Sequence, residues 1–374
     1  MHALLATVGT DGDILPYVGL GATLRERGHR VTLLANEGFH GVAAGQGLEF
    51  RALVSEAETQ ELLANPDFWH PVKAARVASR WGARFIRRQY TLLAEMASDE
   101  DVVLVASPGV LAARLAQEKL SRPLASVVLQ PWMIPSVLAP PVMPGGLALP
   151  ARTPVPIWKL YWRLLDAAGD WLVGRELNGL RADLGLRPVR RMFQWWLSPE
   201  LVLGLFPDWY GPPQRDWPAA MRLTGFPNRN GQSIGELPAD LAEFCRAGSP
   251  PVAFTFGTGM MHAAGLFREA VQACELLNAR GILLTKFASQ LPGSLPPSVR
   301  PCEFAPFAKL FPQCAAVVHH GGIGTTAAAL AAGTPQLILP FAYDQVDNAT
   351  RVQRFGAGAW LKPRRRDGRR IADA

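Results

Sequence analysis

Only four of the 374 residues are cysteine (Cys245, Cys274, Cys302 and Cys314), and no two stand in a Cys-x-x-Cys pair. That leaves no framework for disulfides or a structural zinc, so a reducing cytoplasm is the expected setting. Charge is scarce too, at 18% of residues against 49% apolar, a balance that excludes general disorder. No long apolar run is unbroken: 123–150 carries seven prolines and makes a poor spanning helix. The chain opens without a basic leader, so its first apolar run reads as a strand and not as a signal peptide. A net charge of +7 would suit a polyanion, but five arginines crowd into PRRRDGRR at 363–370. No basic helix interleaved with aromatics is present, and nucleic acid is not an expected partner.

What is present is alternation. HALLATVG (2–9) is a compact apolar run of the kind found in buried parallel strands, and DILPYVGLGATLRERG (13–28) follows with helical spacing. HRVTLLAN (29–36), VVLVA (102–106), LASVVL (124–129) and LVLGLF (201–206) add strand candidates. The pattern restarts after NRNGQSIGELPAD, with VAFTFG (252–257), a helix over 264–281 and GILLTKF (281–287). AAVVHH (315–320), a helix over 324–332, QLILP (336–340), a helix over 344–356 and AGAWL (357–361) complete it. Strands alternating with helices predict two α/β domains with parallel sheets: 1–227, a linker at 228–240, and 241–374. Ligands of such sheets bind beyond the carboxyl ends of the strands, and two such sheets facing each other define an interdomain cleft.

The stretch VVHHGGIGTT (317–326) runs a strand through two histidines and a glycine turn into a helix. Glycine lets a backbone approach an anion closely, and a helix start offers free N–H groups and a positive dipole end. The plainer reading is a glycine-rich connection with one buried and one solvated histidine. Asp344–Gln345 follows the next strand, where a carboxylate and an amide can clamp neighbouring sugar hydroxyls. Asp344 could equally be a helix N-cap. A phosphate turn and a polyol clamp one strand apart suggest a nucleotide sugar.

The run from VVHHGG to DQVDNA resembles the donor signature of family 1 glycosyltransferases, the UDP-glycosyltransferase superfamily with the GT-B fold. GDILP (12–16) is similar to an element of its bacterial sterol and antibiotic branch. GLFPDWYGPPQRDWP (204–218) and LTGFP (223–227) resemble rhamnolipid-type rhamnosyltransferases. The resemblance implies a general base at Asp13, with Asp11 as a nearby competitor; the plainer role for Asp13 is to cap the helix at 14–28. It implies that His319 contacts the donor diphosphate, with His320 at a more variable position. Gly322, Gly324 and Thr325 would form the phosphate turn, and Thr258 would approach it from the first strand of the second domain. Phe304 would stack on a pyrimidine. Phe307 stands where many relatives have glutamine and reads equally well as core. Relatives continue past the last strand, so the second domain is expected to be truncated. Its arginine-rich tail matches no expected element, and apolar surface near Trp360 should be exposed.

A dinucleotide oxidoreductase is the first rival, but Gly9 and Gly12 have the wrong spacing for Gly-x-Gly-x-x-Gly. A non-catalytic lipid-binding or membrane-associated protein retaining the fold is the second, supported by the Trp-rich 157–217 and the basic tail. A peptidoglycan-type N-acetylglucosamine transferase needs consecutive glycines that TVGTDGD lacks. The expected activity is inverting hexosyl transfer from a dTDP- or UDP-sugar, with dTDP-L-rhamnose favoured. The acceptor would be an apolar alcohol such as a hydroxy-fatty-acid ester. No metal-ligand cluster appears, and peripheral contact with the inner face of the membrane fits such an acceptor.

Overall fold

The computed structural model describes residues 1–145, 149–150, 152–227 and 235–374. Of the expected linker, 228–234 lies outside the described residues. The chain divides into two units: the described residues of Met1–Phe68, Lys73–Pro141 and Ala148–Arg229, and those of Trp69–Val72, Val142–Leu147 and Asn230–Ala374. Two short segments early in the chain therefore belong with the second unit. One tie is a backbone bond from Val142 N–H to the buried carboxylate of Asp347, at 2.9 Å.

The first unit holds seven parallel strands: β1 (His2–Ala6), β2 (Arg30–Asn36), β3 (Glu49–Val54), β4 (Val102–Ala106), β5 (Leu124–Val128), β6 (Leu201–Gly204) and β7 (Met221–Leu223). Their order is β3-β2-β1-β4-β5-β6-β7. β1 is apolar on both faces, and Ala3 to Ala6 are buried, as a strand with helices on either side requires. The helix after it spans Asp11–Glu26, two residues earlier than the sequence predicts, because Thr10 and not Asp13 is its N-cap. Strand β3 escapes a reading of apolar runs because it lies at the sheet edge and exposes Glu49, Arg51 and Ala52.

The second unit holds six parallel strands: β8 (Val252–Thr255), β9 (Gly281–Leu284), β10 (Val299–Cys302), β11 (Ala316–His319), β12 (Gln336–Ile338) and β13 (Gly358–Trp360). Their order is β10-β9-β8-β11-β12-β13. Pro301 inside β10 is tolerated because that strand is an edge. In both sheets the winding reverses direction once, between β1 and β4 and between β8 and β11. Such switch points are where crevices open at the carboxyl ends of strands.

The tail departs from expectation. Helix Gly368–Asp373 packs on helix Ala264–Leu277, burying Ile371 in the core that holds Phe267 and Ala270. Asp367 caps it by accepting from Arg370 N–H, and Gly368 N–H donates to Glu269 at 2.6 Å. Arg366 donates to the Pro340 carbonyl and lies 5.0 Å from the Phe341 ring centroid. Trp360 is half-buried and donates to Gln353 at 3.1 Å. The arginines thus belong to a capped segment covering the second unit, and the expected exposed patch is absent at this residue.

Candidate functional site

In the second unit the site is built at the carboxyl ends of β8, β11 and β12. His319 ends β11 on the same face as Val317 and is fully buried. Gly321 N–H donates to its Nδ1 at 3.1 Å, so the ring proton sits on Nε2 and reaches Gln336 Oε1 at 2.9 Å. Burial, reinforced by His320 and opposed by the Gln336 bond, brings the His319 pKa down to about 3. Both of its nitrogens are occupied by the protein. The ring to which the sequence reading gave the diphosphate contact is, in this structure, held between Gly321 and Gln336.

His320 takes the opposite face. Its Nδ1 is buried without a hydrogen-bond partner, and burial lowers its pKa to about 4 against a pull from the Thr255 carbonyl. The ring fits a slot between two glycines. A Cβ on Gly322 would stand 2.4 Å from His320 Nε2, and one on Gly257 would stand 3.2 Å from it. Gly257 follows β8 and has φ +97°, so the slot spans the switch point between β8 and β11. Thr258, next along, is half-buried in the same turn.

Helix Ile323–Ala332 starts here with Gly322 as N-cap, no side-chain cap and no acidic residue in its first turn. Its first N–H groups and dipole are available to an anion. Gly324 is half-buried; Thr325 and Thr326 turn inward, and Thr326 Oγ1 has no partner.

One strand over, Asp344 is the N-cap of helix Gln345–Arg354, though it forms no capping bond. Gln345 is buried, and its Oε1 accepts from Phe341 and Ala342 N–H at 2.6 and 3.1 Å, leaving the amide nitrogen to donate. Asn348 was not singled out in the sequence, yet it joins both halves of the site. Its buried Nδ2 donates to the Gly321 carbonyl at 2.9 Å and to Asp344 Oδ2 at 2.6 Å. Its spacing of four from Asp344 on one helix was the available signal.

The aromatic pair after β10 separates. Phe304 is 52% exposed beside a hollow lined by Pro238, Asp240, Leu241, Arg300 and Glu303. Phe307 is buried and stacked on Phe311, ring centroids 4.4 Å apart, in the core with Leu310 and Val317. It packs as a core residue, one of the two readings that the sequence left open for it.

In the first unit Asp13 lies half-buried in the first turn of helix Asp11–Glu26. Thr10 N–H and the Thr10 hydroxyl both donate to its Oδ2, at 2.9 and 3.2 Å. Burial raises its pKa, against those two bonds and with a smaller push from Asp11. A Cβ on Gly9, at φ +141°, would stand 2.3 Å from Asp13 Oδ2, so glycine there is what admits the carboxylate. Asn36 holds that turn by donating to the Gly9 carbonyl at 2.8 Å. Among the described residues no cluster of three or more His, Cys, Asp or Glu could hold a metal.

Comparison with known proteins matches residues 3–139 to the glycosyltransferase family 28 N-terminal domain. Residues 279–374, tail included, match the erythromycin biosynthesis protein CIII-like C-terminal domain. O-mycaminosyltylonolide 6-deoxyallosyltransferase of Streptomyces fradiae is 30% identical over 96% of this chain and 85% of its own length. Sterol 3-beta-glucosyltransferase of Candida albicans is 28% identical over 96% of this chain, which spans 24% of that enzyme. The UGT80A2 sterol enzyme of Arabidopsis thaliana is 29% identical over 96% of this chain, which spans 57% of it. Among solved structures, the calicheamicin glycosyltransferase CalG4 aligns with a TM-score of 0.71 at 22% identity, covering 100% of this chain and 88% of that one. The spinosyn rhamnosyltransferase SpnG, complexed with thymidine diphosphate, aligns with a TM-score of 0.65 at 21% identity, covering 100% and 88%.

Proposed function

The chain belongs to the GT-B glycosyltransferases of family 1, and from that premise we propose that it moves a hexose from a dTDP- or UDP-sugar to a hydroxyl of an apolar acceptor, with inversion at the anomeric carbon. The observation that carries this reading is the His320 slot: a neutral imidazole between two glycines, beside an uncharged helix start. That arrangement suits a diphosphate whose charge grows as it departs. Asp344 and the Gln345 amide stand one strand away, where hydroxyls of the sugar can be held.

Asp13 is the proposed base. Its raised pKa strengthens it as a proton acceptor, while Thr10 fixes its Oδ2 and leaves Oδ1 for an acceptor hydroxyl. The proton passes to Asp13, the acceptor oxygen bonds to the anomeric carbon, and the bonding pair leaves on the diphosphate oxygen. L-Rhamnose is the favoured sugar, supported by the 6-deoxy sugar named for the Streptomyces relative. A hydroxy-fatty-acid ester is the favoured acceptor.

The test is a donor panel of dTDP-L-rhamnose, dTDP-glucose and UDP-glucose, each with a 3-hydroxyalkanoyl ester and with a sterol. Acceptor-dependent release of one nucleotide diphosphate, with the glycoside detected by mass, is expected. Binding of lipid with no nucleotide release from any donor would instead favour a non-catalytic role. Asp344→Ala is expected to depress turnover while leaving affinity for free nucleotide diphosphate nearly unchanged.

A further inference from the structure

Helix Val155–Asp183 of the first unit carries a stripe that faces solvent. Ile157, Leu160, Leu164 and Trp171 are 48%, 54%, 62% and 68% exposed. At 3.6 residues per turn they fall within about 60° of arc and run about 21 Å along the axis. Four large apolar side chains in one line are more than the scattered exposure of an ordinary surface.

Between residues 155 and 171 the exposed charges are of one sign. Lys159 and Arg163 are exposed on the same stretch. Its two carboxylates point elsewhere: Asp166 is buried and accepts from Phe193 N–H, and Asp170 accepts from Arg191 and Met192 N–H. On the neighbouring helix Ala74–Ala83, Arg76 and Arg80 are exposed, and Arg80 lies 5.5 Å from the Trp171 ring centroid. Leucines and a tryptophan on one face, edged by cations, form the pattern of a helix lying in the plane of a bilayer interface. Among the described residues no helix is long and apolar enough to cross a membrane, so the contact is one of lying on the surface.

We propose that this face docks on a lipid bilayer bearing acidic headgroups. A second copy of the chain fits it less well. A two-fold pairing of the stripe would set Lys159 and Arg163 against their own copies, with no exposed carboxylate of residues 155–171 to answer them. An acidic membrane satisfies the leucines and the cations together.

Flotation of the full chain tests this, with vesicles of equal parts phosphatidylcholine and phosphatidylglycerol, and with phosphatidylcholine alone. Partition onto the acidic vesicles is expected to exceed that onto neutral ones by about tenfold or more. Lys159→Gln with Arg163→Gln should lower binding to acidic vesicles by about 30-fold. Leu160→Ser with Leu164→Ser should lower binding to both kinds. Melting temperatures should stay near wild type, because all four side chains are exposed. Failure of the wild-type chain to float with acidic vesicles overturns the proposal, as does equal flotation of the variants. Light scattering that showed a dimer dissociated by the leucine pair would overturn it in favour of a second copy.

Discussion

The two sheets each run a strand through a glycine turn into a helix beside the switch point, and they resolve the positive end of that helix in opposite ways. After β1 the first turn holds Asp11 and Asp13, and Thr10 binds Asp13 directly. That helix start already has its anion. After β11 the first turn holds Ile323, Gly324 and Thr325, with no charge and no cap. That one carries no anion of its own. The same local fold thus presents a fixed carboxylate in one unit and an open cradle in the other. The residues of three or four turn positions, not the architecture, decide which.

The largest expected effect removes the carboxylate. Asp13→Asn keeps an oxygen for Thr10 but loses the proton acceptor, so turnover should fall roughly 10²–10⁴-fold with little change in melting temperature. Near-normal turnover would move the base to Asp11 or elsewhere. The next makes the second turn resemble the first. Gly324→Asp places a fixed negative charge in the open helix start and should weaken free nucleotide diphosphate binding about 10- to 100-fold, while favouring the helix slightly. Unchanged affinity by calorimetry would show that no diphosphate binds there.

The histidine pair gives a smaller, divided effect. His320→Ala should cost about tenfold in nucleotide diphosphate affinity, the loss of one charge-assisted bond. His319→Ala should show mainly in melting temperature, because Gly321 N–H and Gln336 Oε1 each lose a buried partner at about 1–3 kcal/mol. Affinity lost at His319 with melting unchanged would reverse the two roles.

The smallest effect is one of pH. His319 and His320 are held neutral, at about 3 and about 4 against an ordinary 6.5, so the unfolded chain takes up protons first as pH falls. The second unit should therefore lose stability between pH 6.5 and about 3 and be insensitive to these histidines above that window. Asp13 acts with the other sign. Its raised pKa means that the folded first unit binds the proton more readily, so it gains relative stability as pH falls through the raised value. Hydrogen exchange at pH 7 and pH 5 should show protection falling more at β11 and β12 than at β1. Equal loss in both sheets would contradict the shifts.

Much of this was legible in the chain. Continuous apolar runs located β1, β2, β4, β5, β8 and β11, because a strand buried on both faces needs continuous apolar sequence. The glycine turn and Asp344–Gln345 stood out because few other residues permit that backbone or carry that side-chain chemistry. The choice between His319 and His320 was not, since it depends on Gln336 and on Gly257, which lies far back in sequence. Phe307 became core through Phe311, four residues on, a spacing that only a helix turns into a contact. In the tail, five arginines drew attention from Asp367 and Ile371, which cap and anchor that segment.

Asn348 carries one more consequence, for how such proteins are recombined. A single buried amide holds both the Gly321 carbonyl and Asp344, so the glycine turn after β11 and the Asp344 carboxylate are locked in register. A chimera that joined this turn to another protein's clamp would break that amide's pairing even if every ligand-contacting residue were preserved. On the donor assignment proposed above, the block from 319 to 348 is then the unit to exchange, taken whole and not part by part.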